Sequence, residues 1–344
     1  MATPQSNLSY LDIVGLCDNV HLRRDSSGLY DTAYNSEPLV PLYLSESPES
    51  PVIGLLRPVI VQQLIEENAR SISLQRQEMW KVRVDPADFI TLRNGALGPT
   101  ISMCDWLDTP SKRTAAMNEL CERWRDTGLF SDVCGPTKWR AEMYPIYADP
   151  FGVHDHPSTS GQETGLNYAF EMERSACALF GVVTYGVHMS IYEETRQDNG
   201  ENKLRVWIPT RALTKPTFPG YLDNTVAGGI PSGMSMFESL VKECMEEASL
   251  EEHLVRKYIR AVGITLPMPD KSIFHRYVYD IKIPKDVDPE LFTPRPSDGE
   301  VESFDIPTVI LDLMIRRGYI TPDNEPDFMK IVNRLHGNFS YQLW

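Results

Sequence analysis

Apolar positions along the chain fall into two regimes. In the first 140 or so residues helical spacing alternates with short strand-like runs. SYLDIVGLCDNV and PVIVQQLIEENA place apolar side chains three and four apart, and SKRTAAMNELCERWRDTG does so up to a glycine stop at Gly128. WKVRV and FITLR between them read as strands, so a small α+β domain is expected here. From Asn167 onward strand signals dominate: NYAFEMER, CALFGVVTYGVHMSIY, KLRVWIPTR and LDNTVAG, then YIRAVGITLPM and IFHRYVYDIKI. One amphipathic helix, Ser235 to Ser249, lies between the fourth and fifth, and IPTVILDLMIRRG follows the last. Mixed strands with interleaved helices predict an α/β/α sandwich. Between the regimes, DPFGVHDHPSTSGQETG has the Pro, Gly, Ser and Thr of a linker or long loop, which puts a boundary near residue 150 and domains at 1–150 and 151–344. His154 and His156 inside it, without further ligands nearby in sequence, are expected to be solvated.

Composition narrows the function. A length of 344 residues favours two domains, and 42% hydrophobic with 24% charged residues is enough for ordinary cores. Lys plus Arg number 33 against 48 Asp plus Glu, a formal charge of -15, with no basic block; this argues against nucleic-acid and anionic-membrane partners. An anionic small substrate would need local cations. The N-terminal stretch lacks a cationic segment and a long apolar core, and the most apolar run, ACALFGVVTYGVHMSIY, is broken by Thr, His and Tyr, so no membrane span is expected. Six scattered cysteines with no CxxC pair fit a reduced, cytoplasmic compartment.

The chemistry concentrates on the central helix. Ser235 followed three residues later by Glu238 signals a capping box, with the helix starting at Met236. At about 100° per residue, Phe237, Leu240, Val241, Cys244 and Ala248 share one face, while Glu243, Glu246 and Glu247 gather roughly opposite. Like charges at these spacings repel by a few tenths of a kcal/mol per pair. Mg²⁺ or Mn²⁺ would offset that, because such ions take carboxylate oxygens together with substrate phosphates. The preceding AGGIPSG lets a backbone carbonyl or amide approach the same ion. A plain solvated acidic face is the competing reading. Arg211 and Lys215, four apart in TRALTKPTFPG, offer a fork and a point charge suited to a diphosphate, with ordinary surface charge as the alternative.

Residues Gly228 to Leu250 resemble the Nudix box, G-x5-E-x7-R-E-U-x-E-E-x-G-U, a loop–helix–loop that binds divalent metal and cleaves diphosphate bonds. Gly228, Glu243, Glu246, Glu247 and Leu250 match, with Cys244 at the apolar position. Met234 stands where the family has its first Glu, Lys242 where it has Arg, and Ser249 where it has its second Gly. In the family that Glu and Arg mainly brace the loop against the helix, so the resemblance implies altered bracing with the metal ligands kept.

Longer stretches, from LFGVVTYGVHMSIY through the box to DGEVESFDI, resemble the fungal and plant Nudix branch related to thiamine pyrophosphokinase, which carries an N-terminal accessory domain. This resemblance implies a pyrophosphatase that hydrolyses thiamine diphosphate or its oxidised, damaged forms to the monophosphate plus phosphate. It further implies Mg²⁺ or Mn²⁺ on Gly228, Glu243, Glu246, Glu247, Glu300 and Glu302, with Glu247 or Glu300 as the base and the diphosphate on Arg211 and Lys215. An ADP-ribose or other nucleoside-diphosphate-sugar pyrophosphatase and a catalytically silent diphosphate-binding module are the rivals. RALTKPTFPG also resembles isopentenyl diphosphate isomerase, but the V-C-G-H stretch of that enzyme reads VAGG here, with Ala227 and Gly229 in place of its Cys and His, which argues against isomerisation. No P-loop supports a kinase. Monomer and homodimer both stay open.

Overall fold

A computed structural model describes residues 9–17, 22–24, 30–32, 39–47, 49–83, 100–162, 164–198, 200, 202–214, 219–265, 273–292, 301–303 and 309–335. The chain begins with helix α1 (Tyr10–Cys17) and a two-stranded ribbon, β1 (Leu22–Arg24) with β2 (Tyr30–Thr32). A four-stranded sheet follows. Its strands are β3 (Val40–Tyr43), β4 (Val52–Leu56), β5 (Trp80–Arg83) and β6 (Thr100–Met103), in the order β4-β3-β6-β5. Between them and after them come α2 (Pro58–Ser73) and α3 (Pro110–Thr127), both with proline at the first turn, where a missing N–H costs nothing. Helix α3 ends as expected at Gly128, whose φ of 70° suits a residue without Cβ.

A short helix, α4 (Ser131–Cys134), leads to a hairpin of β7 (Met143–Tyr147) and β8 (Tyr168–Glu173). Its long connection holds α5 (Pro157–Ser160), and after it comes α6 (Cys177–Phe180). The first apolar core gathers side chains from Val40 to Val182 around Trp80, Trp124 and Phe180, with the Trp124 and Phe180 rings stacked at 5.6 Å. The stretch read as a linker is thus the connection of a hairpin whose strands flank it. Polar side chains hold it: Asp155 accepts the N–H groups of Asn167 and Tyr168, and Asn167 bonds the backbone of Asp149 and Val153. Local bonding of this kind lets Asp and Asn replace a ladder.

The second sheet is built on a long strand, β9 (Val183–Arg196). One edge of β9 pairs with β10 (Asn202–Trp207) along its second half and with β12 (Val226–Gly229) along its first, both antiparallel. The other edge pairs in parallel with β14 (Ile273–Lys282), which pairs in turn with β13 (Ile259–Thr265). A small ribbon joins β11 (Thr210–Arg211) to β15 (Val301–Ser303). Alternation along β9 sends Tyr185, Val187, Met189 and Ile191 into a second core with α7 (Met236–Ala248) and α8 (Glu252–Tyr258), while buried Thr184 and Ser190 face the other way. On that other face Asp280 of β14 bonds Arg316 of α9 (Val309–Arg316), and α9 packs with α1 and α10 (Phe328–Leu335) through Val14, Leu311 and Ile331. Helices on both faces of a mixed sheet make the expected α/β/α sandwich. Among the described residues no helix is long and apolar enough to cross a membrane.

Candidate functional site

Helix α7 forms as its sequence predicts. The Ser235 hydroxyl accepts the Glu238 N–H at 3.2 Å, supplying the N-cap. The capping box stays half-made, because the Glu238 carboxylate turns to Arg256 of α8, at 2.9 and 2.7 Å, instead of back to the backbone. Leu240, Val241, Cys244 and Ala248 are buried against β9 and β12, each large side chain contributing about 1.5–3 kcal/mol. Phe237 is half-buried at the rim, with the Arg256 guanidinium 5.5 Å from its ring centre. Ser249 ends the helix at φ 53°, the left-handed cap that a glycine adopts freely and a serine only at a cost of about 1 kcal/mol.

The opposite face meets the glycine strand. Glu247 accepts the Ala227 N–H at 3.0 Å. A Cβ built on Gly228 would stand 2.2 Å from Cδ of Glu243, so a side chain there would push that carboxylate away from its present place against the strand. Glu243 is 14% exposed, and burial pushes its pKa up to about 7 against the opposing pull of the Lys242 charge. Glu246 is 57% exposed, with the Lys242 ammonium 3.3 Å away; the same ammonium lies 3.8 Å from Glu243. Lys242, in the position of the box arginine, therefore sits among the glutamates it neighbours. Among the described residues no group of three or more His, Cys, Asp or Glu is arranged to hold a metal ion unaided.

The donor set nonetheless suits a hard divalent cation. Carboxylate oxygens and a glycine carbonyl are the ligands such ions take. A buried carboxyl raised towards neutrality is one whose ionised form a cation would stabilise.

The other expected residues are distributed unevenly. Arg211 lies on β11 and donates to Asp223 at 2.5 Å, so a carboxylate of the chain already engages its guanidinium. Register pairs Arg211 with Val301, which brings β11 beside the strand carrying Glu302. Lys215, Glu300 and the Glu302 side chain lie outside the described residues.

Sequence reasoning missed the contribution of the β7–β8 hairpin. A Cβ on Gly229 would stand 1.5 Å from the Tyr144 hydroxyl, so β7 presses directly on the glycine loop. The Arg174 guanidinium lies 5.2 Å from the Tyr144 ring centre, bonds Glu142 at 2.7 Å and lowers the pKa of Glu243 through its charge. His154 and His156 are half-buried and engaged with neighbouring side chains, where full solvation was expected. His154 stacks on Tyr147 at 4.5 Å and meets the Tyr277 hydroxyl at 2.7 Å, and burial lowers its pKa. His156 reaches Ser232 of the glycine loop. A histidine and three tyrosines scattered between positions 147 and 277 leave no local signal.

Residues 53–184 match the model of a domain of unknown function, DUF4743. Nudix hydrolase 20, a chloroplastic protein of Arabidopsis thaliana, is 32% identical over 252 residues, covering 67% of this chain and 59% of that protein. An uncharacterized protein of Saccharomyces cerevisiae is 32% identical over 242 residues, 60% of this chain and 64% of its own length. The chain spans about three fifths of the length of the curated relatives it matches. A solved MutT protein from Methanosarcina mazei covers 44% of this chain and 94% of its own at 14% identity and a TM-score of 0.27. The glycine strand set against the glutamate face of α7, together with the similarity to a named Nudix hydrolase, supports the Nudix hydrolase family for this chain.

Proposed function

We propose that the chain is a metal-dependent hydrolase of diphosphate bonds, acting on thiamine diphosphate or its oxidised analogues to give the monophosphate and phosphate. The observation that carries the reaction class is the seating of Glu243 and Glu247 on the glycine strand, one against Gly228 and the other on the Ala227 N–H. The substrate class rests on the resemblance of the flanking sequence. Glu243, Glu246 and Glu247, with the Gly228 carbonyl and Glu300 and Glu302, would hold Mg²⁺ or Mn²⁺. When bound, such an ion neutralises charge on the diphosphate oxygens and makes water a better nucleophile at neutral pH.

The residues of the chain do the rest. Glu247, which accepts a backbone N–H, or Glu300 would take the proton from the attacking water. Arg211 and Lys215 orient the diphosphate for in-line attack, with Asp223 holding the Arg211 fork in place. In this reading residues 1–150 would be the accessory part and 151–344 the hydrolase part, with the box at 228–250 and the β7–β8 hairpin running across the division.

The test is product formation with Mg²⁺ or Mn²⁺ on thiamine diphosphate, oxidised thiamine diphosphates and ADP-ribose, for wild type and Glu247→Gln. Release of a thiamine-type monophosphate, lowered on the order of a hundredfold or more by Glu247→Gln, is the expected result. Turnover of ADP-ribose alone would overturn the substrate class, and no metal-dependent turnover on any of them would overturn the reaction.

A further inference from the structure

The glycine loop, residues 229–233, lies between β12, whose Gly228 meets Glu243, and the N-cap of α7. Its bonds run mostly to one element. The Ser232 N–H donates to the Met143 carbonyl of β7 at 2.8 Å. The Ser232 hydroxyl lies 3.2 Å from Nε2 of His156, and the Ser158 hydroxyl 3.5 Å from the Gly233 carbonyl. Tyr144, 4% exposed, fills the space at Gly229 where a side chain would stand. These four partners belong to the β7–β8 hairpin or its connection, while the Ile230 N–H donates to the Tyr185 carbonyl of β9 at 2.9 Å.

That hairpin is a firm support. Tyr144 is part of the first core, and the connection is anchored by the ring of His154 among Tyr147, Tyr185 and Tyr277. The His156 ring is fixed too: its Nδ1 accepts the Ser158 N–H at 3.1 Å, and its edge meets Tyr168 at 4.6 Å. With Nδ1 accepting, Nε2 carries the proton and donates to Ser232. On the helix side no comparable tie joins Met234 to Lys242 among the described residues. Met234 is uncharged, and the Lys242 ammonium is engaged by Glu243 and Glu246.

We propose that the β7–β8 hairpin is a positioning element of the candidate site: through His156, Tyr144 and the Met143 carbonyl it fixes the glycine loop, and thereby the approach of Gly228 to Glu243. It acts through the loop and touches neither metal nor substrate. The role of the hairpin is then mechanical, holding the ligand-bearing strand in register with α7.

Hydrogen exchange followed by mass spectrometry on the full chain tests this, with His156→Ala, His156→Gln and Ser232→Ala beside wild type, and a Mn²⁺ titration read by paramagnetic resonance. Either alanine variant should exchange residues 230–234 about fivefold faster or more, the scale of one lost hydrogen bond, with β13 and β14 unchanged and Mn²⁺ bound several-fold more weakly. His156→Gln, whose amide reaches the place of Nε2, should restore most of both. Wild-type exchange at 230–234 in Ser232→Ala, or exchange rising equally throughout the chain, would overturn the proposal, and Ser232→Ala decides alone where His156→Ala does not fold. No readout needs turnover, so an inactive wild type would refute the hydrolase reading without touching this one.

Discussion

Two acidic clusters of this chain are built to opposite specifications. Behind the second sheet, Asp280 and Asp312 are 4% and 1% exposed, and the Arg316 guanidinium bonds both, at 2.8 and 2.7 Å. The planar fork meets two carboxylates and closes the cluster. On α7, two of the three glutamates, Glu246 and Glu243, share one lysine ammonium at 3.3 and 3.8 Å, and the more enclosed of this pair, Glu243, has its pKa raised by burial. Counting Glu194 beside it, which bonds Lys282 and Arg317, the first arrangement matches three carboxylates with three cations; on α7 one lysine stands among three glutamates and leaves negative charge for something else to balance. Charge deficiency, more than acidity, separates a candidate site from a structural ion pair.

That contrast can be broken first at Arg316. Replacing it by Leu leaves two enclosed carboxylates facing each other and should cost about 3–5 kcal/mol in urea unfolding, with the loss shrinking at low pH as the acids protonate. A loss below about 1 kcal/mol would mean that the cluster is not closed as described. The matching change on α7, Glu247→Gln, should leave the unfolding midpoint nearly unchanged while the hundredfold fall in turnover appears. A fall of only a few-fold would place Glu247 outside the chemistry.

The sharper probe is Glu243→Gln in metal-free protein. Folding raises this pKa from 4.5 to about 7, so the folded state binds the proton more tightly and ionisation opposes folding. The cost is absent below about pH 4.5, grows as pH rises towards 7, and is complete above it. Glu243→Gln should therefore stabilise the metal-free protein at pH 8 by about 1–3 kcal/mol, with little change at pH 4, and saturating Mn²⁺ should cancel the advantage by stabilising wild type. Equal stability at pH 8 would remove the charge deficiency. The smallest effect is expected at the helix exit, where Ser249→Gly should add about 0.5–1 kcal/mol by relieving a left-handed serine, measured as a rise in thermal midpoint.

What was legible in the sequence follows the range of the interactions. The cap at Ser235, the apolar face of α7 and the stop of α3 at Gly128 depend on residues within a few positions, and periodicity exposes them. Glu238 was misread because its partner, Arg256, lies on the next helix, where a bidentate ion pair outcompetes the capping box. The stretch after Asp149 has linker composition, yet Asp155 and Asn167 use those polar side chains as internal stitching, which composition alone does not distinguish. Tyr144 on Gly229 and His156 on Ser232 join positions 85 and 76 apart, and no spacing rule reaches that far.

One junction has a practical consequence for taking the protein apart. Between α6 and β9 the chain turns at Gly181, in a left-handed conformation with a Cβ position 2.1 Å from the Leu55 carbonyl, and Val182 bridges Gly54 before β9 begins at Val183. Val52, Leu55, Tyr147 and Tyr168 from the earlier half complete the second core. A fragment starting at Val183 would lose these side chains and bare the apolar wall they cover, so the catalytic-looking half is poorly suited to being excised or grafted.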